Sequence, residues 1–327
     1  MSLPDVLAGL RLPMIGSPLF IISRPKLVIA QCKAGVVGSF PALNAREKDG
    51  ESLEAWIIQI EEELDRHNQA NPDRPAAPYA VNQIVHRSNT RLEQDVEICA
   101  RLNVPIWITS LGAREDVYEA AHSSGGIVLH DVVDNRFAQK AIQKGADGLV
   151  AVAAGAGGHA GTISPFALVQ EIRSWFHGPL YLAGALARGD AILAALAMGA
   201  DGGYVGSAFI ATEEAHAAKA YKRMIADGSA EDIVYTNLFT GVHGNYLKPS
   251  ISAAGLDPDN LELSDPTKMN FGASAEKPKI WTEIWGSGQG IGAVDDIVRV
   301  ADLVDRLEQE FQAAGARVTA ALATHFW

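Results

Sequence analysis

The sequence predicts a (β/α)8 barrel, a TIM barrel, with a helical and loop insertion after strand eight. Three observations carry this. Short apolar runs recur eight times and alternate with amphipathic segments. No G-x-G-x-x-G follows the first run, which argues against a doubly wound sheet with an appended domain. The alternation then breaks once, after the eighth run.

The runs are PMIGS (13–17), GVVGSF (35–40), PYAVNQ (78–83), PIWITS (105–110), GIVLHDV (126–132), GLVAVAA (148–154), LYLAG (180–184) and GGYVGS (202–207). They are short, apolar on both faces and partly β-branched, as strands of a covered parallel sheet must be. Helical patterns lie between them. In RLEQDVEICARL, Leu92, Val96, Cys99 and Ala100 share one face. In DAILAALAMGAD, Ile192, Leu193, Leu196 and Ala197 do the same, with Asp190 placed as N-cap and Gly199 as stop.

After strand eight comes a helical pattern, EEAHAAKAYKRMIADG, and then a polar stretch rich in Pro, Gly and Asp. The last barrel helix follows in AVDDIVRVADLVDRLEQEFQAAG, where Val304, Leu307 and Phe311 recur at helical spacing. The expected division is a barrel of residues 1–210 and 291–327 and an inserted lid of 211–290 over its mouth.

The chain has 327 residues, 48% of them hydrophobic and 20% charged, enough for one large barrel core. Its net charge of −12 argues against a nucleic-acid or anionic-membrane surface, since both select basic patches. Cys32 and Cys99 show no metal spacing, so no metal is expected. The N-terminus lacks the pattern of a signal peptide and no run is long enough to span a bilayer, so a cytoplasmic protein is expected.

In a barrel, chemistry gathers at the carboxyl ends of the strands. After strands seven and eight the chain reads LAGAL and GSAF, which places Ala183, Gly184, Ala185, Gly206 and Ser207 where backbone N–H groups can converge on a phosphate. Asn82 and Gln83 end strand three, where an amide can read a flat heterocycle. Pro18 and Leu19 follow strand one. Strand six empties into GAGGHAG (155–161), four glycines around one imidazole, which lets a ring system approach the main chain. A phosphate at one side and a polar-edged ring across the mouth describe FMN. No lysine stands at a strand end for Schiff-base chemistry.

The stretches AVAAGAGGHAG, LAGAL, MGADGGYVGSAFIATEEA and IWGSGQGIG resemble the nitronate monooxygenase family, formerly called 2-nitropropane dioxygenases. The resemblance covers most of the chain, and GAGGHAG is its most specific piece. It implies a TIM barrel with non-covalent FMN and a small helical lid. By position, it implies that Pro18, Leu19 and Phe20 line the flavin and that Asn82 bonds its ring or ribityl chain. His130 falls at a strand-five end where relatives often carry lysine near the flavin. Gly157 and Gly158 pass close to the cofactor, and Ala183, Gly184, Ala185, Gly206 and Ser207 hold the phosphate. Gly288 and Gln289 close over the cofactor, and His159 matches the family's active-site histidine. The chain departs from well-known members in opening strand one with PMIGSPLF, without a glutamine, and in its longer insertion. Both departures bear on the substrate more than on the cofactor.

The resemblance implies oxidation of nitronates by dioxygen to a carbonyl compound and nitrite. His159 would take a proton from a neutral nitroalkane or hydrogen-bond the nitro oxygens. An FMN reductase passing electrons from NAD(P)H to a quinone or enoyl acceptor is the alternative, and a flavin-binding sensor barrel the non-enzymatic one. A homodimer is left open.

Overall fold

In the computed structural model, residues 3–46, 50–262 and 282–325 are described. The barrel strands are β1 (Met14–Gly16), β2 (Gly38–Pro41), β3 (Tyr79–Ile84), β4 (Ile106–Ser110), β5 (Ile127–Val132) and β6 (Gly148–Val152). A two-residue strand, β7 (Gly158–His159), follows, and β8 (Leu180–Ala183) and β9 (Gly202–Val205) complete the barrel. The eight strands other than β7 form one parallel sheet in the order β1-β9-β8-β6-β5-β4-β3-β2. A parallel bridge between Ile15 and Val37 joins the two edges, so the eight predicted runs close into a cylinder.

The covering helices are α1 (Pro25–Lys33), α2 (Leu53–Ala70), α3 (Leu92–Arg101), α4 (Glu115–Ser123), α5 (Asn135–Gln143), α6 (Pro165–Arg173) and α7 (Gly189–Ala197), with α11 (Val300–His325) ending the described chain. Local chemistry fixes several starts. The side chains of Ser52 and Asp134 accept hydrogen bonds from the Ala55 and Phe137 N–H groups at the starts of α2 and α5. Pro25 and Pro165 open α1 and α6, where their missing N–H costs nothing. Asp190 is not the cap expected of it: Arg188 holds the N-cap position of α7 and Asp190 lies in the first turn, favourable there to the helix dipole.

Two apolar layers follow from strand alternation. Ile15, Ala80, Ile108, Leu129, Val150 and Tyr204 pack inside the cylinder. Phe40, Val81, Trp107, Val128 and Leu182 pack outward in the cluster that the helices cover. This parity decides which residue at each strand end can reach the mouth.

After β9 come α8 (Ser207–Ile210), α9 (Lys219–Asp227), β10 (Ile233–Thr236), β11 (Gly244–Leu247) and α10 (Lys248–Ala253). The helix expected from Glu213 begins only at Lys219. The described part of the insertion also contains a β-hairpin, which helical spacing did not reveal. β10, β11 and β7 form a three-stranded antiparallel sheet, with Gly244 paired to His159 and Asn245 to Gly158. The loop after β6 is therefore one edge of the inserted sheet. Residues 263–281 of the insertion lie outside the described residues. Among the described residues, no helix is long and apolar enough to cross a membrane.

Candidate active site

A cavity of about 970 Å3 opens at the carboxyl ends of the barrel strands. It is lined by Pro18, Leu19 and Phe20 after β1, by Asn82 on β3, and by Gly157, Gly158 and His159 after β6. Ala183, Gly184 and Ala185 line it at the end of β8, Gly206 and Ser207 after β9, and Gly288 near the end of the insertion. These predicted positions therefore meet in one place.

Three predicted positions do not. His130 is turned away: its Nδ1 lies 2.7 Å from Thr109 Oγ1 and 3.0 Å from the Tyr118 hydroxyl of α4. Leu129 packs inside the cylinder, so its neighbour His130 faces the helices and Asp131 faces the mouth. Burial without a charge partner lowers the His130 pKa to about 4 and keeps the ring neutral. Gln289 is also absent from the lining; its N–H donates to the Gly155 carbonyl at 2.9 Å, bracing the loop from behind. Gln83 likewise points outward, its amide donating to Cys99 Sγ at 3.3 Å.

His159 is placed by sheet pairing and by Thr240, whose Oγ1 lies 3.0 Å from Nε2. The Thr240 hydroxyl also reaches the Val242 carbonyl at 3.0 Å. With its proton directed to that carbonyl, it accepts from an Nε2–H of the neutral imidazole. Burial lowers the His159 pKa to about 4.

The glycines of this loop serve chain packing as much as ligand approach. A Cβ on Gly157 would stand 2.7 Å from the Gly288 nitrogen, and one on Gly288 would stand 2.6 Å from the Gly155 carbonyl oxygen. Two backbones thus run against each other with no room for a side chain. Ser207 adds to this clasp: its Oγ accepts the Gly288 N–H at 2.9 Å. That bond uses the hydroxyl oxygen as an acceptor and leaves the Ser207 O–H to donate to an anion at the end of β9, beside the main-chain N–H groups that open α8. Ala185, at the facing end of β8, holds a left-handed φ of 57°. Ile21 (φ 68°) and Leu111 (φ 64°) also line the cavity, so left-handed strain in non-glycine residues gathers around its mouth. Asn44, which nothing in the sequence marked, supports the Ile21 turn: it accepts the Ile21 N–H at 2.7 Å and donates to the Leu19 and Ser23 carbonyls at 3.0 and 2.8 Å.

A polar chain crosses the wall from β3 to β5. The Asn82 amide donates to the Ile108 carbonyl at 3.1 Å and to Ser110 Oγ at 2.8 Å. Ser110 in turn donates to Asp131 Oδ2 at 2.5 Å. Both amide hydrogens of Asn82 are engaged, which leaves its carbonyl oxygen as the group offered to a ligand. Asp131 has no cationic partner among the described residues, and burial raises its pKa to about 7 against the opposing Ser110 hydrogen bond. Its Oδ1 and the Tyr204 hydroxyl are buried without hydrogen-bond partners.

A wide cavity at the barrel mouth, with a neutral imidazole on one wall and a half-buried carboxyl on another, is the site of a barrel enzyme that holds a ligand over its strand ends. The chain belongs to the nitronate monooxygenase family, whose model matches residues 7–310. It is similar to a nitronate monooxygenase of Paraburkholderia phytofirmans, at 24% identity over 94% of each chain. It is also 28% identical to a putative monooxygenase of Mycobacterium tuberculosis, over 60% of this chain and 56% of that protein. Among solved structures, a nitroalkane oxidase from Streptomyces ansochromogenes superposes with a TM-score of 0.76 at 22% identity, covering 96% of this chain and 99% of that one. At that identity the superposition speaks for the fold.

Proposed function

We propose that the protein is an FMN-dependent nitronate monooxygenase, oxidising nitronates and nitroalkanes with dioxygen to a carbonyl compound and nitrite. One observation carries the reading: His159 and the small-residue ends of β8 and β9 line the same cavity. The residues present fit FMN. Main-chain N–H groups at Gly184 and Gly206–Ser207 would hold its phosphate, the Ala185 N–H being given to the Gly155 carbonyl at 3.2 Å. Asn82 would accept from the ring, and Pro18, Leu19 and Phe20 would give it an apolar bed. FMN, when bound, supplies the electron acceptor for the substrate carbon.

The chain's own residues supply placement and proton handling. His159 is neutral at working pH, so it meets an incoming nitroalkane as a base or a nitro group as a hydrogen-bond partner. The inserted sheet fixes the ring's position, which converts encounter into alignment. The clasp of Gly157 against Gly288 fixes the cavity wall beside it.

The test is the visible spectrum of the purified protein, followed by anaerobic mixing with the nitronate of 2-nitropropane or with NADH. A yellow protein bleached by the nitronate, yielding nitrite once air is admitted, is the expected result. Rapid bleaching by NADH alone would instead assign a reductase. A yellow protein turning over neither would assign a flavin-binding barrel, and a colourless protein with no affinity for FMN would overturn the flavin reading.

A further inference from the structure

Among the described residues, Asp131, half-buried with its Oδ1 fully so, is the acidic group in the cavity wall that the proposed chemistry leaves without a task. It stands at the end of β5, facing the mouth, with one oxygen held by Ser110 and the other without a partner. Buried polar atoms in folded proteins are nearly always paired, so an orphaned carboxyl oxygen at a ligand cavity points to a partner that arrives with the ligand. Tyr204 from β9, also lining the cavity, does not fill that place: its hydroxyl is itself without a partner.

Two strands away, Asn82 offers a carbonyl oxygen because both of its amide hydrogens are engaged. A neutral Asp131 offers an O–H. An acceptor and a donor on one wall complement a ring edge on which N–H and C=O groups alternate, as on the pyrimidine edge of a flavin.

We propose that Asp131 binds the cofactor as a neutral acid, donating a hydrogen bond to the polar edge of the flavin ring, so that flavin affinity falls when Asp131 ionises. This rests on the flavin reading above. The surroundings make Asp131 the group that titrates near neutrality. Its neighbours on β3 and β4, Asn82 and Ser110, carry no charge, and its pairing partner on β6 is Val150. His159 is held neutral by burial, and the Tyr204 hydroxyl is pushed well above its ordinary value by burial and by Asp131. Tyr221, which also lines the cavity, is likewise raised by burial. At the rim, Arg91 is tied to the Ala45 carbonyl and Asp95, and Arg46 sits 6.0 Å from the Phe20 ring. Burial favours the neutral acid up to about pH 7.

The test is fluorescence titration of the full-length apoprotein with FMN and with riboflavin between pH 5.5 and 8.5. Riboflavin has no phosphate, whose own ionisation near pH 6 would otherwise mix into the result. The expected wild-type Kd is flat below about pH 6.5 and rises roughly tenfold per pH unit above about 7.5 for both ligands. Asp131→Asn keeps a donor that does not ionise and should bind both ligands with a flat profile, at least about tenfold tighter than wild type at pH 8.5. Ser110→Ala removes the bond that favours the carboxylate and should move the midpoint to higher pH. An Asp131→Asn protein that keeps the wild-type pH dependence overturns the proposal, as does a dependence seen with FMN and not with riboflavin. Failure of the wild-type protein to bind either flavin at any pH is a different result: it defeats the flavin reading, and this proposal with it.

Discussion

His159 and Thr240 are 81 residues apart in sequence and 3.0 Å apart in space, the hydroxyl of one meeting Nε2 of the other. The hairpin of β10 and β11 brings them together, since Gly244 pairs with His159 while Thr240 sits in the connecting turn. Thr240→Val keeps the shape and removes the hydroxyl. Loss of one hydrogen bond worth about 1 kcal/mol predicts a fall of about five- to tenfold in kcat/KM for nitronate turnover. FMN affinity should not change, and Thr240→Ser should recover most of the loss.

His159→Asn should retain FMN, because the cradle at the ends of β8 and β9 does not involve the imidazole. Activity on a neutral nitroalkane should fall by about 10²- to 10⁴-fold, the range of a lost general base. Turnover of the preformed nitronate should fall by less than about tenfold. Steady-state rates on both forms of one substrate decide this, and equal losses would contradict a proton-abstracting role.

Asp131 carries a stability cost in the protein without ligand. Its folded pKa of about 7 lies above the ordinary 3.8, so the fold binds a proton that the unfolded chain releases. The cost is absent below about pH 4, grows as pH rises towards 7 and is constant above that. Asp131→Asn should therefore raise the apoprotein's stability at pH 8 by on the order of 2 kcal/mol and leave it nearly unchanged at pH 4. Chemical denaturation at the two pH values measures the difference, and an equal effect at both would remove the raised pKa as its cause.

Gly288→Ala places a Cβ 2.6 Å from the Gly155 carbonyl oxygen, where backbone must move to admit it. Overpacking of this kind costs about 1–3 kcal/mol and should lower FMN affinity by separating the two loops. Gly292→Ala is the control, because its nearest neighbour would be 3.7 Å away. Melting temperatures and FMN titrations of the pair measure the tightness of the clasp, and equal effects of the two substitutions would contradict it.

Much of the fold is legible in the sequence. The eight strands could be read because a covered parallel sheet makes each strand a short apolar run. The cavity could be placed because a barrel has one working face. What escaped was parity at a strand end. HDV at 130–132 offered two ionisable neighbours, and only Leu129 packing inward shows that Asp131, not His130, faces the mouth. Counting alternate residues from Leu129 would have found it. The hairpin escaped because β10 and β11 are short and partly polar, and because their partner β7 is two residues long and made of glycine and histidine. Asn44 and Thr240 act through contacts between distant segments, which no local pattern records.

The strand β7 belongs to the barrel by chain order and to the inserted sheet by hydrogen bonding. A protein engineer who excised the insertion and resealed the barrel would remove the scaffold that aims the imidazole while leaving the imidazole in place. The two must travel together: transplanting the GAGGHAG loop onto another barrel without its hairpin would deliver the right residue with nothing to hold its bearing.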